Sequence, residues 1–196
     1  MIGISFNKKE FEYDAYTLVK AFYPKEDIEM YGTWEKEGPK DYEKLVSISY
    51  GDQVVIGIHT REHTLEDSAP YDEKEDRKKR KNTLKQILYK LLVQETGQTL
   101  PWGNLTGIRP VKIAMGLIEE GMTNAQAADF MRKTYFTSNE KTALAIAIAN
   151  RERDILKDID YKRGYSLYVG IPFCPSICLY CSFSSSPLEK WRDRVE

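Results

Sequence analysis

The chain has 196 residues, 41% hydrophobic and 30% charged, with a formal net charge of −1. Such a composition fits a soluble globular protein, and the near-neutral balance excludes a global basic field for nucleic acid. No apolar run approaches the ~18 residues that read as a membrane span.

The opening segment, MIGISFNKKEFEYD, carries acids and no apolar h-region, so no secretory or transit segment is expected. A cytosolic location, where thiols stay reduced, follows as an expectation. Residues 2–6 alternate weakly and predict a strand. Residues 11–22 predict a helix, because Phe11, Ala15, Leu18, Val19 and Phe22 fall on one face, and Pro24 stops it. Strands are predicted over 27–34, 44–50 and 53–60. The last two are joined by Gly51-Asp52, a pair suited to a primed hairpin turn. His59 and His63 lie four apart at the end of this hairpin, near Glu62, Glu66 and Asp67. A metal site there is one reading; exposed hairpin residues are the commoner one.

Residues 72–96 predict a long helix with an apolar stripe of Leu84, Ile87, Leu88, Leu91 and Leu92. Its first half holds five consecutive bases, from Arg77 to Lys81. Glu73, Glu75 and Asp76 each sit four places ahead of a base, the favourable order for pairing along a helix surface. No aromatics interleave the run to stack on bases, so a nucleic-acid partner is not expected.

Residues 100–106 read as a loop. Arg109 either fastens this loop or meets a substrate carboxylate. Pro110 suits the first turn of a following helix and Gly121 its end. Thr123-x-x-Gln126 and Thr137-x-x-Glu140 read as capping boxes, starting helices near 124–133 and 138–158. These three helices predict a small bundle. A turn at Lys162-Arg163-Gly164 precedes a predicted buried strand over 165–171, and Ser184-Ser185-Ser186-Pro187 reads as the start of a last helix.

All three cysteines of the chain lie in YVGIPFCPSICLYCSF: Cys174, Cys178 and Cys181, spaced C-x3-C-x2-C. Three thiolates on one short loop can converge on an iron–sulfur cluster. A cubane cluster usually takes four cysteines, so three leave one iron with an open position for chemistry. A disulfide framework suits neither the odd count nor the tight clustering. A structural zinc site wants a fourth ligand, which folding would have to bring from His59 or His63. Inert core cysteines would give no reason for the spacing.

The segment over 168–183 resembles the cluster loop of radical S-adenosylmethionine enzymes, whose signature is C-x3-C-x-aromatic-C. Within that superfamily LYVGIPFC is similar to the oxygen-independent coproporphyrinogen III oxidase group, which reads LYxxIPFC. The upstream LPWGNLTGIRPVKI resembles the coproporphyrinogen dehydrogenase branch of HemZ type. Two positions depart from the group. Gly170 stands where many members carry His, and Phe183 stands where the oxidase type carries a further cysteine.

The resemblance implies that Cys174, Cys178 and Cys181 each bind one iron of a [4Fe–4S] cluster, with S-adenosyl-L-methionine on the fourth. It implies that Tyr168 and Tyr180 contact that cofactor. It further implies release of a 5′-deoxyadenosyl radical and oxidative decarboxylation of coproporphyrinogen propionates to vinyls. The implied partners are a tetrapyrrole substrate and an electron donor such as flavodoxin or ferredoxin. A haem-binding chaperone on the same scaffold, or another radical-SAM enzyme, is the alternative.

The expected fold class is α+β. A small α/β module (1–68) and a helical segment (69–160) precede the first strand and cluster loop of a truncated radical-SAM α/β barrel (161–196). The chain is therefore expected to be the N-terminal part of a longer enzyme, inactive alone, because a barrel needs on the order of 200 residues. Residues 1–160 are a possible docking module for substrate or partner.

Overall fold

The structure, a computed structural model, describes residues 1–33, 42–107, 109–160 and 163–194. It is α+β, with a five-stranded mixed sheet and a helical bundle. The strands are β1 (Ile2–Phe6), β2 (Ile28–Gly32), β3 (Lys44–Tyr50), β4 (Gln53–Thr60) and β5 (Thr64–Pro70), in the order β2-β1-β3-β4-β5. β1 runs parallel to both β2 and β3, while β3, β4 and β5 are successively antiparallel. Parallel neighbours need a crossover, and α1 (Glu12–Phe22) supplies it between β1 and β2. The expected end of β2 at Trp34 lies outside the described residues.

One face of the sheet makes the core. Ile2, Ile4 and Phe6 of β1 share it with Val46 and Ile48 of β3 and Val54, Ile56 and Ile58 of β4. Against it lie Ala15, Leu18, Val19 and Phe22 of α1 and the expected leucine stripe of α2 (Arg77–Thr96). Nine of the largest fully buried side chains here are isoleucine or leucine, each worth roughly 1.5–3 kcal/mol when fully buried.

Three local expectations are corrected. The β3–β4 hairpin forms, but Tyr50 pairs with Val54 and Gly51 does not take the positive φ of a primed turn. α2 starts at Arg77 rather than residue 72, because the Asp76 side chain accepts from the Lys79 backbone N–H (3.1 Å) and caps it there. Glu73 therefore lies outside the helix and pairs with Lys8, and Arg80 pairs with Glu10 and the Tyr71 hydroxyl; of the expected helix-surface pairs, Glu75–Lys79 is present. β5 is an unexpected strand, since TLEDSAP has little apolar alternation and is ordered by pairing along β4.

The bundle comprises α3 (Val111–Glu119), α4 (Asn124–Tyr135) and α5 (Asn139–Leu156). The first capping box is present: Thr123 Oγ1 accepts from the Gln126 N–H, and Gln126 Oε1 accepts from the Thr123 N–H. The second is not. Ser138 caps α5 by accepting from the Lys141 N–H, and Thr137 is buried with its hydroxyl on that of Thr142 (2.7 Å). Gly103 permits the loop before α3 to cross α4: a Cβ there would lie 1.9 Å from the Tyr135 carbonyl oxygen, and its φ is +58°.

By compactness the chain divides into Met1–Ile155 and Leu156–Glu196. The second unit contains two two-residue strands, β6 (Phe173–Cys174) and β7 (Ser186–Pro187), paired in parallel, and then α6 (Leu188–Trp191) with a 3-10 turn over Arg192–Arg194. The expected strand over 165–171 is absent as such, because these residues have no ladder partner among the described residues. No closed or curled barrel is seen among the described residues. Of the expected turn before it, Lys162 lies outside the described residues, while the Gly164 N–H donates to the Asp160 carbonyl.

Candidate metal centre

The cysteine loop is built by three local contacts. Phe173–Cys174 lies alongside Ser186–Pro187, and the Ser186 N–H donates to the Pro172 carbonyl at 2.8 Å. Those contacts close residues 175–185 into a loop. Within it the Cys181 N–H donates to the Cys178 carbonyl at 3.0 Å, so two of the cysteines bracket one tight turn. All three thiols are free; Cys178 is exposed and the other two are half-buried. Among the described residues no group of three or more His, Cys, Asp or Glu side chains is placed to hold a metal ion. The turn places Cys178 and Cys181 at its two ends, and Cys174 lies on β6.

Tyr168 and Tyr180 are both strongly exposed, at 84% and 90%. Tyr168 lies over Gly170: a Cβ added there would sit 3.0 Å from Tyr168 Cε1. In an extended backbone residues two apart share a face, so the bare Gly170 gives the Tyr168 ring its place. A larger residue at 170 would displace the ring.

Over 167 residues the chain is 35% identical to the oxygen-independent coproporphyrinogen-III oxidase-like protein HemZ of Bacillus subtilis (strain 168). This is moderate homology to the HemZ-like oxygen-independent coproporphyrinogen-III oxidase family. The match takes in 81% of the chain and 33% of that protein, so the chain spans about a third of its relative's length. No family model matches the chain, and no solved structure does. No helix among the described residues is long and apolar enough to cross a membrane.

The other sequence candidates have structural partners. His59 Nε2 is 2.8 Å from Ser47 Oγ, and His63 Nε2 is 2.6 Å from Glu95 Oε2. Glu95 also meets Lys44. Burial pushes the Glu95 carboxyl up, but hydrogen bonds from Lys44 and His63 outweigh it and hold the group below the usual range. Arg109 is exposed and lies just past Ile108, which is outside the described residues. The loop before it is held by Lys85, whose Nζ donates to Thr106 Oγ1 at 3.0 Å, with Thr17 Oγ1 3.1 Å from the same hydroxyl.

Sequence reasoning missed Lys85 and Glu95. The signal was present, because Lys85 is three before Leu88 and Glu95 three after Leu92, on the stripe that the helix buries. Burial pushes the Lys85 amine down to about 8.

Proposed function

We propose that the chain is the N-terminal part of an oxygen-independent coproporphyrinogen III dehydrogenase, a radical S-adenosylmethionine oxidoreductase of porphyrin and haem biosynthesis. The observation that carries this reading is the set of three free thiols at C-x3-C-x2-C spacing, with no fourth cysteine in the chain. Homology to the HemZ-like family supports it.

The donor chemistry fits the group. Three unpaired thiols can each bind one iron as thiolates, and the missing fourth leaves a corner for S-adenosyl-L-methionine. Cys174, Cys178 and Cys181 would hold the [4Fe–4S] cluster; when bound, the cluster and S-adenosyl-L-methionine together supply the one-electron chemistry that takes propionates to vinyls. Because the three donors are not gathered among the described residues, loading would have to bring their thiols together. Exposed Tyr168 and Tyr180 offer apolar ring faces to the adenosyl part of the cofactor. The substrate in this reading is a tetrapyrrole, the electron donor a flavodoxin or ferredoxin, and the compartment the reducing cytosol.

The test is anaerobic loading of the chain with iron and sulfide, followed by reduction with S-adenosyl-L-methionine present. The expected result is a [4Fe–4S] electron paramagnetic resonance signal that changes on adding S-adenosyl-L-methionine and is lost in Cys174→Ser, Cys178→Ser and Cys181→Ser. A colourless, iron-free product after loading would overturn the reading. In the longer protein of which this chain is proposed to be part, 5′-deoxyadenosine and carbon dioxide should form with coproporphyrinogen. Gly170 and Phe183, which depart from the oxidase pattern, favour a second reading as a haem carrier. Tight haem binding without carbon dioxide release would select it.

A further inference from the structure

A groove of about 470 Å³ runs beside the C-terminal half of α2, residues 99–100 and the turn after α4. It lies in the first compact unit and has no part in the cluster reading. Its size falls in the range that holds small ligands, and such sites are mostly apolar with a few placed polar groups. Tyr89, Val93, Leu100 and Phe136 form its apolar wall. Val93, Leu100 and Phe136 are only partly buried and continue the hydrophobic core outward to this groove.

Two observations narrow what the groove takes. The first is a flat aromatic wall. Phe136 stacks on buried Tyr89, with centroids 5.2 Å apart and planes 7° from parallel. Phe136 also holds φ +57°, at the helix-ending position where glycine or asparagine is usual. A bulky residue in this conformation persists only where its surroundings over-determine it, and such residues concentrate at ligand sites.

The second is charge. Lys90 Nζ stands 5.9 Å from the Phe136 centroid, over the ring. Elsewhere on α2, Lys79 pairs with Glu75 and Lys81 with Asp14, whereas Lys90 has no carboxylate within ion-pair distance among the described residues. None of the groove's lining residues is acidic. An exposed cation at the lip of an apolar, aromatic groove is complementary to an amphipathic anion.

We propose that this groove is a binding site for a flat aromatic carboxylate, its ring against Phe136 and its carboxylate on Lys90. Binding is non-covalent and independent of the cysteine loop, so it should occur in metal-free chain.

The probe is 2-naphthoate, titrated into the isotopically labelled chain and followed by amide NMR, with uncharged 2-naphthalenemethanol as control. The expected result is saturable shifts confined to residues 89–100 and 136–138, and weaker binding of the alcohol. Lys90→Gln, at an exposed position that leaves the fold unchanged by circular dichroism, should weaken naphthoate about two- to fivefold. Phe136→Gly suits the backbone conformation and removes the ring, so it should abolish saturable binding. Shifts elsewhere, equal affinity for alcohol and acid, or undiminished binding by Lys90→Gln would overturn the proposal.

Discussion

The two compact units handle apolar side chains in opposite ways. In Met1–Ile155 the isoleucines of β1, β3 and β4 and the leucines of α2 are almost wholly buried against each other. In Leu156–Glu196 the apolar residues Leu167, Val169, Ile171, Leu179 and Phe183 are exposed, and Leu179 fully so. Helices and a sheet with matched apolar faces satisfy one another within the first unit. Among its described residues the second unit has the two-residue β6–β7 ladder, a four-residue helix and a 3-10 turn, which offer no second layer to cover a strand. The comparison teaches that the stability of this chain and its proposed chemistry reside in different units.

The sharpest test of this contrast is a pair of leucine truncations. Leu88→Ala should lower stability by about 2–5 kcal/mol through lost burial and a cavity, read by denaturant unfolding. Leu179→Ala should change it by less than about 0.5 kcal/mol. Equal effects would break the comparison.

The next test concerns Lys85, the one buried lysine among the described residues of the first unit. Its folded-state pKa of about 8 lies below the ordinary 10.5, so between those values the unfolded chain binds more protons. Stability should then rise with pH across that window, by on the order of 3 kcal/mol in total. The cost of protonating Lys85 is present in full below about 8 and gone above about 10.5. In Lys85→Met this rise should vanish, as measured by unfolding midpoints across the same pH range.

Caps give a smaller effect. Asp76→Ala removes the acceptor that starts α2 and should cost about 1 kcal/mol. The smallest effect on stability is expected at Gly170. Gly170→His should leave unfolding unchanged within about 0.5 kcal/mol. It should still shift the Tyr168 ring resonances, because the new Cβ meets that ring. A cooperative loss of stability would show that residues 165–171 carry packing energy of their own.

Much of the first unit was legible from residues in order. The alternation of 44–50 and 53–60 marked β3 and β4 to the residue, and the leucines at 84, 88, 91 and 92 marked the buried side of α2. What escaped was set by distant groups. The Asp76 cap starts α2, and it leaves Glu73 to meet Lys8, sixty-five positions away, a partner that local spacing does not reveal. β5 has polar residues that no alternation rule selects, and only the open edge of β4 makes them a strand. Thr137 was readable as a cap, but burial claimed it for Thr142 and left the role to Ser138. At the candidate metal centre the sequence shows three thiols and their spacing, and among the described residues they form no metal-holding group. Spacing along a loop sets which thiols can meet, whereas bringing them together needs the backbone to fold around them.

Sequence alone determined the chemical inventory: three thiols at one spacing, two tyrosines beside them, and the apolar periods that build a sheet and its helices. Tertiary structure alone decided the strand order β2-β1-β3-β4-β5, the partners of Lys85 and Glu95, and the place of Phe136 at a groove. The reason is physical. Local pattern reports which faces are apolar and which groups can donate or accept. Which face meets which, and which charge is stripped of water, is settled by contacts between residues far apart in the chain.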